Sequence, residues 1–262
     1  MQDLGDRPGD RQVGAGLLRG KVYLITGASK GMGRSFAGAL AAQGALVALL
    51  ARHPEPLQEA VAEIGSAALP LVCDVSDPES VDGAVAAVLA RFGRLDGAIS
   101  NAAITSLLKI ESASPRAIQR EIAVNLLGPI YLTRAVVPHL RDAGGGDLVF
   151  ISSESVRMPY PFLTLYAASK GGVEVLAAGL RGELRAQGTR VTVLRSGTVE
   201  GTSIEEGWSA EARQKFFDEC TRMGNANFSG APAKRTTMAQ TLLALLTLPR
   251  DVNVDLLEAR GR

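Results

Sequence analysis

Tyr166 and Lys170 stand four residues apart in the stretch Tyr166-Ala-Ala-Ser-Lys170. In a helix, that spacing puts both side chains on one face, one turn apart. An ammonium fixed beside a phenol favours the phenolate. The pair is therefore expected to bring the tyrosine pKa down from about 10 toward the working pH. Such a phenol exchanges a proton with a carbonyl/alcohol pair. The same spacing also suits a ring that covers core and a lysine that reaches past it to water. The chemical reading thus asks for two more things: a site for a hydride carrier, and a second hydroxyl near the phenol.

The carrier's site has a candidate near the start of the chain. Lys21-Val-Tyr-Leu-Ile-Thr26 is a short apolar run, read as a buried strand, and Gly27-Ala-Ser-Lys-Gly31-Met-Gly33 follows directly. Arg34 to Gln43 carries apolar and small residues at helical spacing and stops at Gly44. Strand, glycine turn and helix make the context of a phosphate-binding loop. The glycines let the backbone approach a pyrophosphate, and the helix start supplies N–H groups and positive potential. The next strand, Ala45 to Leu50, runs into Ala51, Arg52 and His53. A dinucleotide fold carries an acidic residue there when it binds an unphosphorylated adenine ribose. Here the acid is absent, and Arg52 and Lys30 offer two cations, so a 2′-phosphate is expected: NADP(H) rather than NAD(H). The alternative is a pair of ordinary solvated charges. His53 reads as surface.

The remaining elements must position these groups. Leu69 to Val75 is a third strand with Asp74 near its end, and Asp77-Pro78 opens a helix to about Phe92. The Asp74 carboxylate either accepts an adenine amine or caps a turn. Leu95 to Ser100 is a fourth strand, followed by Asn101-Ala-Ala103, small residues that suit a backbone beside a ligand or a plain tight turn. Pro115 to Leu140 is predicted as one long helix with Asn125 at its middle, beside Ile122, Leu126 and Ile130. Asn125 is either a satisfied core amide or part of a proton path; His139 reads as a helix-end residue. Asp147 to Ile151 is a fifth strand that delivers Ser152 and Ser153 at its carboxyl end, where ligands sit in open α/β sheets. Tyr166 to Gln187 is a helix, and Gly171 and Gly172 within it cost propensity, which implies a close neighbouring backbone. Arg190 to Leu194 is a sixth strand, and Ser196-Gly-Thr-Val-Glu-Gly-Thr202 turns away from it. Thr202 to about Gly230 lacks a regular pattern yet collects Trp208, Phe216, Phe217, Met223 and Phe228, as in a substrate lid or a packed helix pair. Thr236 to Leu248 is a helix and Val252 to Leu257 a last strand. Repeated strand–helix units with apolar strands give a parallel sheet covered on both faces.

In this order the chain resembles the short-chain dehydrogenase/reductase family from about Lys21 onward. The motifs that carry the resemblance are Thr26-Gly27-x-x-x-Gly31-x-Gly33, Asp74, Asn101-Ala102, Asn125, Ser153, Tyr166-x-x-x-Lys170 and the turn from Gly197 to Thr202. Ser153 precedes Tyr166 by 13 residues, the family's usual spacing, which selects it over Ser152. The resemblance implies a single-domain α/β Rossmann-type fold over residues 21–262: a doubly wound parallel sheet of about seven strands, behind a tail at residues 1–20. It implies an NAD(P)-dependent oxidoreductase acting on CH–OH and C=O groups. Tyr166 would donate the proton, Lys170 would lower its pKa and hold the nicotinamide ribose, and Ser153 would hold the carbonyl oxygen. Asn125 would hold a water linking Lys170 to solvent. The cofactor would lie against Gly27, Ser29, Lys30, Gly31, Met32, Gly33, Arg52, Asp74, Val75, Asn101, Ala102, Gly197, Val199 and Thr202, and against Tyr166 and Lys170 themselves. Two places depart from the family's usual wording. Ser100-Asn101-Ala102-Ala103 stands for Asn-Asn-Ala-Gly, and Ser196-Gly197 stands for Pro-Gly.

The residue totals bound the rest. The chain has 262 residues, 46% hydrophobic, with 29 glycines, which suits one large α/β domain with tight helix–sheet packing. A net charge of +1 points to neither nucleic acid nor an anionic membrane. Cys73 and Cys220 have neither metal-ligand spacing nor a disulfide framework, so they read as reduced, and the protein as metal-free and cytoplasmic. No apolar run reaches transmembrane length, and the N-terminus lacks the apolar stretch of a signal peptide. The expected function is reversible, NADPH-dependent reduction of a small-molecule ketone to a secondary alcohol. An oxidative alcohol dehydrogenase and a non-catalytic NADP-binding sensor are the alternatives. Met158, Tyr160, Phe162, Trp208 and Phe216 predict an apolar pocket and a hydrophobic ketone. Val173, Leu176, Ala177 and Leu180, beyond what one sheet face needs, predict a homodimer or homotetramer.

Overall fold

The computed structural model describes residues 16–202, 208–225 and 230–262. Seven strands form one parallel sheet: β1 (Val22–Thr26), β2 (Leu46–Ala51), β3 (Ala68–Val72), β4 (Gly97–Ser100), β5 (Asp147–Ser153), β6 (Arg190–Ser196) and β7 (Leu256–Ala259). Their spatial order is β3-β2-β1-β4-β5-β6-β7, all neighbours parallel. The described helices are α1 (Gly31–Ala42), α2 (Pro54–Ile64), α3 (Pro78–Phe92), α4 (Pro115–Ile122), α5 (Gly128–Asp142), α6 (Thr164–Leu184), α7 (Ala210–Arg222) and α8 (Arg235–Leu246).

The strands look continuously apolar because successive side chains enter different cores. Tyr23, Ile25, Val47, Leu49, Val149 and Ile151 pack with Phe36 and Leu40 of α1, Leu57 of α2 and Leu242 of α8. Their strand neighbours Val22, Leu24, Ala48, Leu50, Leu148 and Phe150 pack with α3, α5 and α6 through Val85, Val136 and Ala177. Two buried faces per strand are what a doubly wound parallel sheet requires. The chain winds outward from β1 to β3, then crosses to β4 on β1's other side. That reversal opens a crevice at the strands' carboxyl ends, between β1 and β4.

Several expected boundaries move, each for a local reason. The five described residues of the expected tail, 16–20, are docked: Leu18 is buried, and its N–H donates to the Gln43 carbonyl (3.2 Å). The rest of that tail lies outside the described residues, as does Phe228. The third strand stops at Val72 because Asp74 begins a turn, its Oδ1 accepting from Ser76 N (2.9 Å) and Ser76 Oγ (2.6 Å). The long helix expected over 115–140 is two helices joined by a π turn, Ala123–Leu127, with Asn125 inside it. The stretch after Thr202 contains α7, capped by Ser209, whose Oγ accepts from Ala212 N (3.1 Å). The last strand starts late because the Asn253 side chain takes the ladder position opposite Val191, accepting its N–H at 3.0 Å. The small and apolar positions of α6 expected to face a partner mostly face the chain's own core: Val173, Ala177 and Leu180 are buried there. Among the described residues no helix is long and apolar enough to cross a membrane.

Candidate active site

The glycine turn is held from across the switch point. Thr26 ends β1, and its Oγ1 accepts from Asn101 N (2.9 Å) and Ala102 N (3.0 Å) at the end of β4. In return Asn101 Nδ2 donates to Thr26 O (2.9 Å) and Gly27 O (3.3 Å). Gly27 and Gly31 have φ of 66° and 56°, the left-handed region that favours glycine. A Cβ on Gly33 would collide with the Gly27 carbonyl and lie 2.7 Å from Asn101 Nδ2. Gly33 is therefore a packing residue of the first turn of α1, and it does not line the cavity beside it.

That cavity, about 690 Å³, fills the crevice. One end is bounded by Gly27, Ser29, Lys30, Gly31 and Met32 at the start of α1, by Arg52 after β2, and by Asp74 and Val75 after β3. His53, expected to be plain surface, also reaches its rim. Asn101 and Ala102 form the middle, with Gly197, Val199 and Thr202 beyond β6. The first turn of α1 contains no acidic residue, so its exposed N–H groups and the two cations give this end positive potential. An anionic dinucleotide fits that chemistry. Asp74 spends one oxygen on its own turn, as one of the two readings of that carboxylate required. Ser196, where the family has proline, closes its turn by donating from Oγ to the Gly197 carbonyl (2.8 Å).

The other end holds Ser153, Tyr166 and Lys170. β5 delivers Ser153, whose Oγ accepts from Ser155 N (3.2 Å) and is hydrogen-bonded to the Tyr166 side chain. Lys170, one helical turn after Tyr166, donates from Nζ to the Ile151 carbonyl (2.8 Å) and stands 5.9 Å from the tyrosine ring centroid. Both residues are buried. The expected fall in the tyrosine pKa does not occur in this state. Burial pushes Tyr166 up to about 12, the Ser153 hydrogen bond pulling it back and the Glu121 charge adding to the rise. Burial also brings Lys170 down to about 8. Desolvation disfavours both charged forms, so Tyr166 stands as a neutral phenol at neutral pH.

Asn125 is fully buried and lies behind the cavity, not on its wall. Its Oδ1 accepts from Ile104 N (2.9 Å), and its Nδ2 donates to Ile104 O (2.8 Å) and Ser169 Oγ (3.2 Å). Both amide donors are used within the protein, so the side chain does the work of a core amide. It fixes the Ala103–Thr105 strip of cavity wall.

Of the five residues expected to line an apolar pocket, Tyr160, Trp208 and Phe216 line the cavity, and Met158 and Phe162 do not. Phe217, Cys220, Asn225, Thr105 and Ser155 line it as well. Ser155 was detectable, two residues past Ser153 at a strand end. Phe217 belongs to the aromatic cluster read as a substrate lid or a packed helix pair, whereas Cys220 required α7 to be recognised, and its polar composition hides it. For Asn225, in the turn after α7, the sequence carries no signal.

Residues 21–213 match the profile of the short chain dehydrogenase family. This chain is a short-chain dehydrogenase. It is 34% identical over 202 residues to a sorbitol dehydrogenase of Cereibacter sphaeroides, an overlap covering 77% of each protein. Its structure superposes on a 3-ketoacyl-(acyl-carrier-protein) reductase of Brucella melitensis complexed with NADH, with a TM-score of 0.81, 29% identity, and coverage of 92% of this chain and 97% of that one. A metagenomic short-chain oxidoreductase in complex with NADP superposes with a TM-score of 0.78 and 26% identity over 94% of this chain and 99% of that one. The short-chain dehydrogenase described here is thus an NAD(P)-dependent oxidoreductase acting on alcohol and carbonyl groups, built as a seven-stranded Rossmann-type domain.

Proposed function

We propose that this short-chain dehydrogenase reduces a small-molecule ketone to a secondary alcohol with NADPH, reversibly. The observation that carries the reading is the Tyr166 phenol, kept neutral by burial and hydrogen-bonded to Ser153 on the cavity wall, with Lys170 one turn away. A neutral phenol is the form that gives a proton to a carbonyl oxygen. A nicotinamide cofactor held in the cavity would supply the hydride that the carbonyl carbon takes up. Tyr166 Oη delivers its proton to the carbonyl oxygen, and Ser153 Oγ holds that oxygen in place. Lys170, anchored on Ile151 O, holds the nicotinamide ribose. Asn125 acts as a positioning residue through Ile104.

Lys30 and Arg52 bind a 2′-phosphate in this reading, which makes NADPH the preferred cofactor. The contacts to the rest of the dinucleotide fall to Gly27, Ser29, Gly31, Met32, Asp74, Val75, Asn101, Ala102, Gly197, Val199 and Thr202. The free, buried thiols of Cys73 and Cys220 suit the cytoplasm. Ile130 on α5 and Val175 on α6, exposed on outward faces, suit pairing of these helices in a homodimer or homotetramer.

The test is a panel of ketones and secondary alcohols run with NADPH and NADH, beside titration of each cofactor alone. Turnover with NADPH preferred is the expected result. Stoichiometric NADPH binding without turnover of any ketone would replace this reading with a sensor.

A further inference from the structure

Buried polar atoms in folded proteins nearly always have hydrogen-bond partners, so an unpartnered one marks a place where something else binds. Among the described residues, several such atoms belong to residues that line the cavity. Thr105 Oγ1, Ser155 Oγ, Trp208 Nε1 and Asn225 Oδ1 are buried without a hydrogen-bond partner, and all four residues line the cavity. They come from four separate segments: the loop after β4, the turn after β5, and the two ends of the α7 region.

The chemical types of these atoms select a ligand class. An indole N–H only donates, an amide oxygen only accepts, and the two hydroxyls do either. A carboxylate or phosphate satisfies Trp208 but cannot donate to Asn225 Oδ1. An ammonium satisfies Asn225 but cannot accept from Trp208. A hydroxyl group does both. Glu154, which accepts from the Tyr160 hydroxyl at 3.2 Å, also lines this end of the cavity and disfavours an anionic ligand. The aromatic rings supply the complementary surface. Phe216 lies 5.5 Å from Trp208 and 6.2 Å from Tyr160, centroid to centroid, a wall against which a carbon chain can pack its C–H groups.

We infer that the substrate is a polyhydroxylated ketone and its product the corresponding polyol. This inference rests on the reductase reading, because it supplies the identity of the ketone. It replaces the apolar pocket expected from the aromatics alone, which were visible in the sequence while the unpartnered atoms between them were not.

The experiment compares matched pairs that share a carbon skeleton: erythrulose against 2-butanone, and fructose against 2-hexanone, with NADPH in excess and the full chain. A site built to hydrogen-bond substrate hydroxyls rejects an analogue lacking them by large factors. The expected kcat/KM is therefore at least about a hundredfold higher for the hydroxylated member of a pair. Trp208→Phe and Asn225→Leu should each narrow that ratio about tenfold or more, because each deletes one polar partner. Turnover of the plain ketones at equal or higher efficiency overturns the inference and leaves the reductase reading standing. So does a ratio that neither variant changes, which would assign the four atoms to water. Absence of turnover with every ketone, despite NADPH binding, overturns both.

Discussion

Arg195 on β6 grips Glu174 on α6 through two bonds, Nε to Oε1 at 2.9 Å and Nη2 to Oε2 at 2.6 Å. Glu174 lies one turn beyond Lys170 on the same helix, and it also accepts from Ser152 Oγ (2.6 Å) beside Ser153. The pair therefore ties the helix that carries Tyr166 and Lys170 to the strand ends that carry the serines. Its side chains are only 15% and 14% exposed. Breaking such a pair leaves an uncompensated charge, at a cost of about 3 kcal/mol or more. Arg195→Met should lower the unfolding free energy by that amount. Glu174→Leu added to it should recover part of the loss, since the stranded carboxylate is then gone. Urea denaturation of the single and double variants checks this.

In the proposed reading, cofactor choice depends on Lys30 and Arg52, which line the far end of the cavity. A charge-assisted bond to a 2′-phosphate contributes about 1.5–3 kcal/mol. Arg52→Asp removes it and offers the carboxylate that an unphosphorylated ribose prefers. NADPH affinity should drop by about tenfold to a hundredfold, and NADH use should rise. Isothermal titration with both cofactors measures this directly. A wild-type protein that binds NADH as tightly as NADPH would overturn the assignment of the two cations.

The fold was legible because its strands alternate between two cores, and alternation of apolar residues on both sides leaves runs such as Val22–Ile25 and Val47–Leu50 in the sequence. Strand end and helix spacing place Ser153, Tyr166 and Lys170 on one cavity wall, but the strand end offered Ser152 equally, and only the resemblance's 13-residue spacing to Tyr166 separated the two serines. Asn125 was legible only in part: its type allows a core amide or a place in a proton path, and its side-chain bonds to Ile104 show the amide role. The tyrosine pKa was misjudged because spacing reveals a neighbouring cation but not the burial that outweighs it. Residues of the α7 region such as Asn225 touch the site only through tertiary packing. No local pattern announces that.

Glu121 gives the protein a specific pH dependence. It is 1% exposed; Oε2 accepts from Ser106 N (3.1 Å) and Oε1 has no partner among the described residues. Burial raises its pKa from 4.5 to about 7, opposed by the Ser106 bonds. The folded state thus binds more protons than the unfolded state between those values, and stability falls as pH rises through them. The full effect is about 3 kcal/mol. Glu121→Gln should therefore be stabilised relative to wild type at pH 8 by about that much more than at pH 4. Unfolding free energies of both proteins at the two pH values decide it. The same variant removes a charge that disfavours the Tyr166 phenolate, so the rising limb of alcohol oxidation should move to lower pH.

Tyr166 and Lys170 should fail in different ways. Tyr166→Phe removes the transferable proton while keeping the ring. Turnover should fall by about a hundredfold to ten-thousandfold, the usual contribution of a positioned acid or base. NADPH affinity and the unfolding midpoint should stay close to wild type. In the wild-type enzyme, alcohol oxidation needs the phenolate, and with Tyr166 pushed up to about 12 its rate should climb about tenfold per pH unit across the neutral and mildly alkaline range. Ketone reduction uses the phenol and should show no such climb. Lys170 titrates near 8, so the charged contact it offers a cofactor is present below that pH and lost above it. Wild-type NADPH affinity should weaken as pH rises through 8. Lys170→Met should bind NADPH more weakly throughout and lose that inflection. Near wild-type turnover in Tyr166→Phe, or unchanged affinity and inflection in Lys170→Met, would remove the residue concerned from the mechanism.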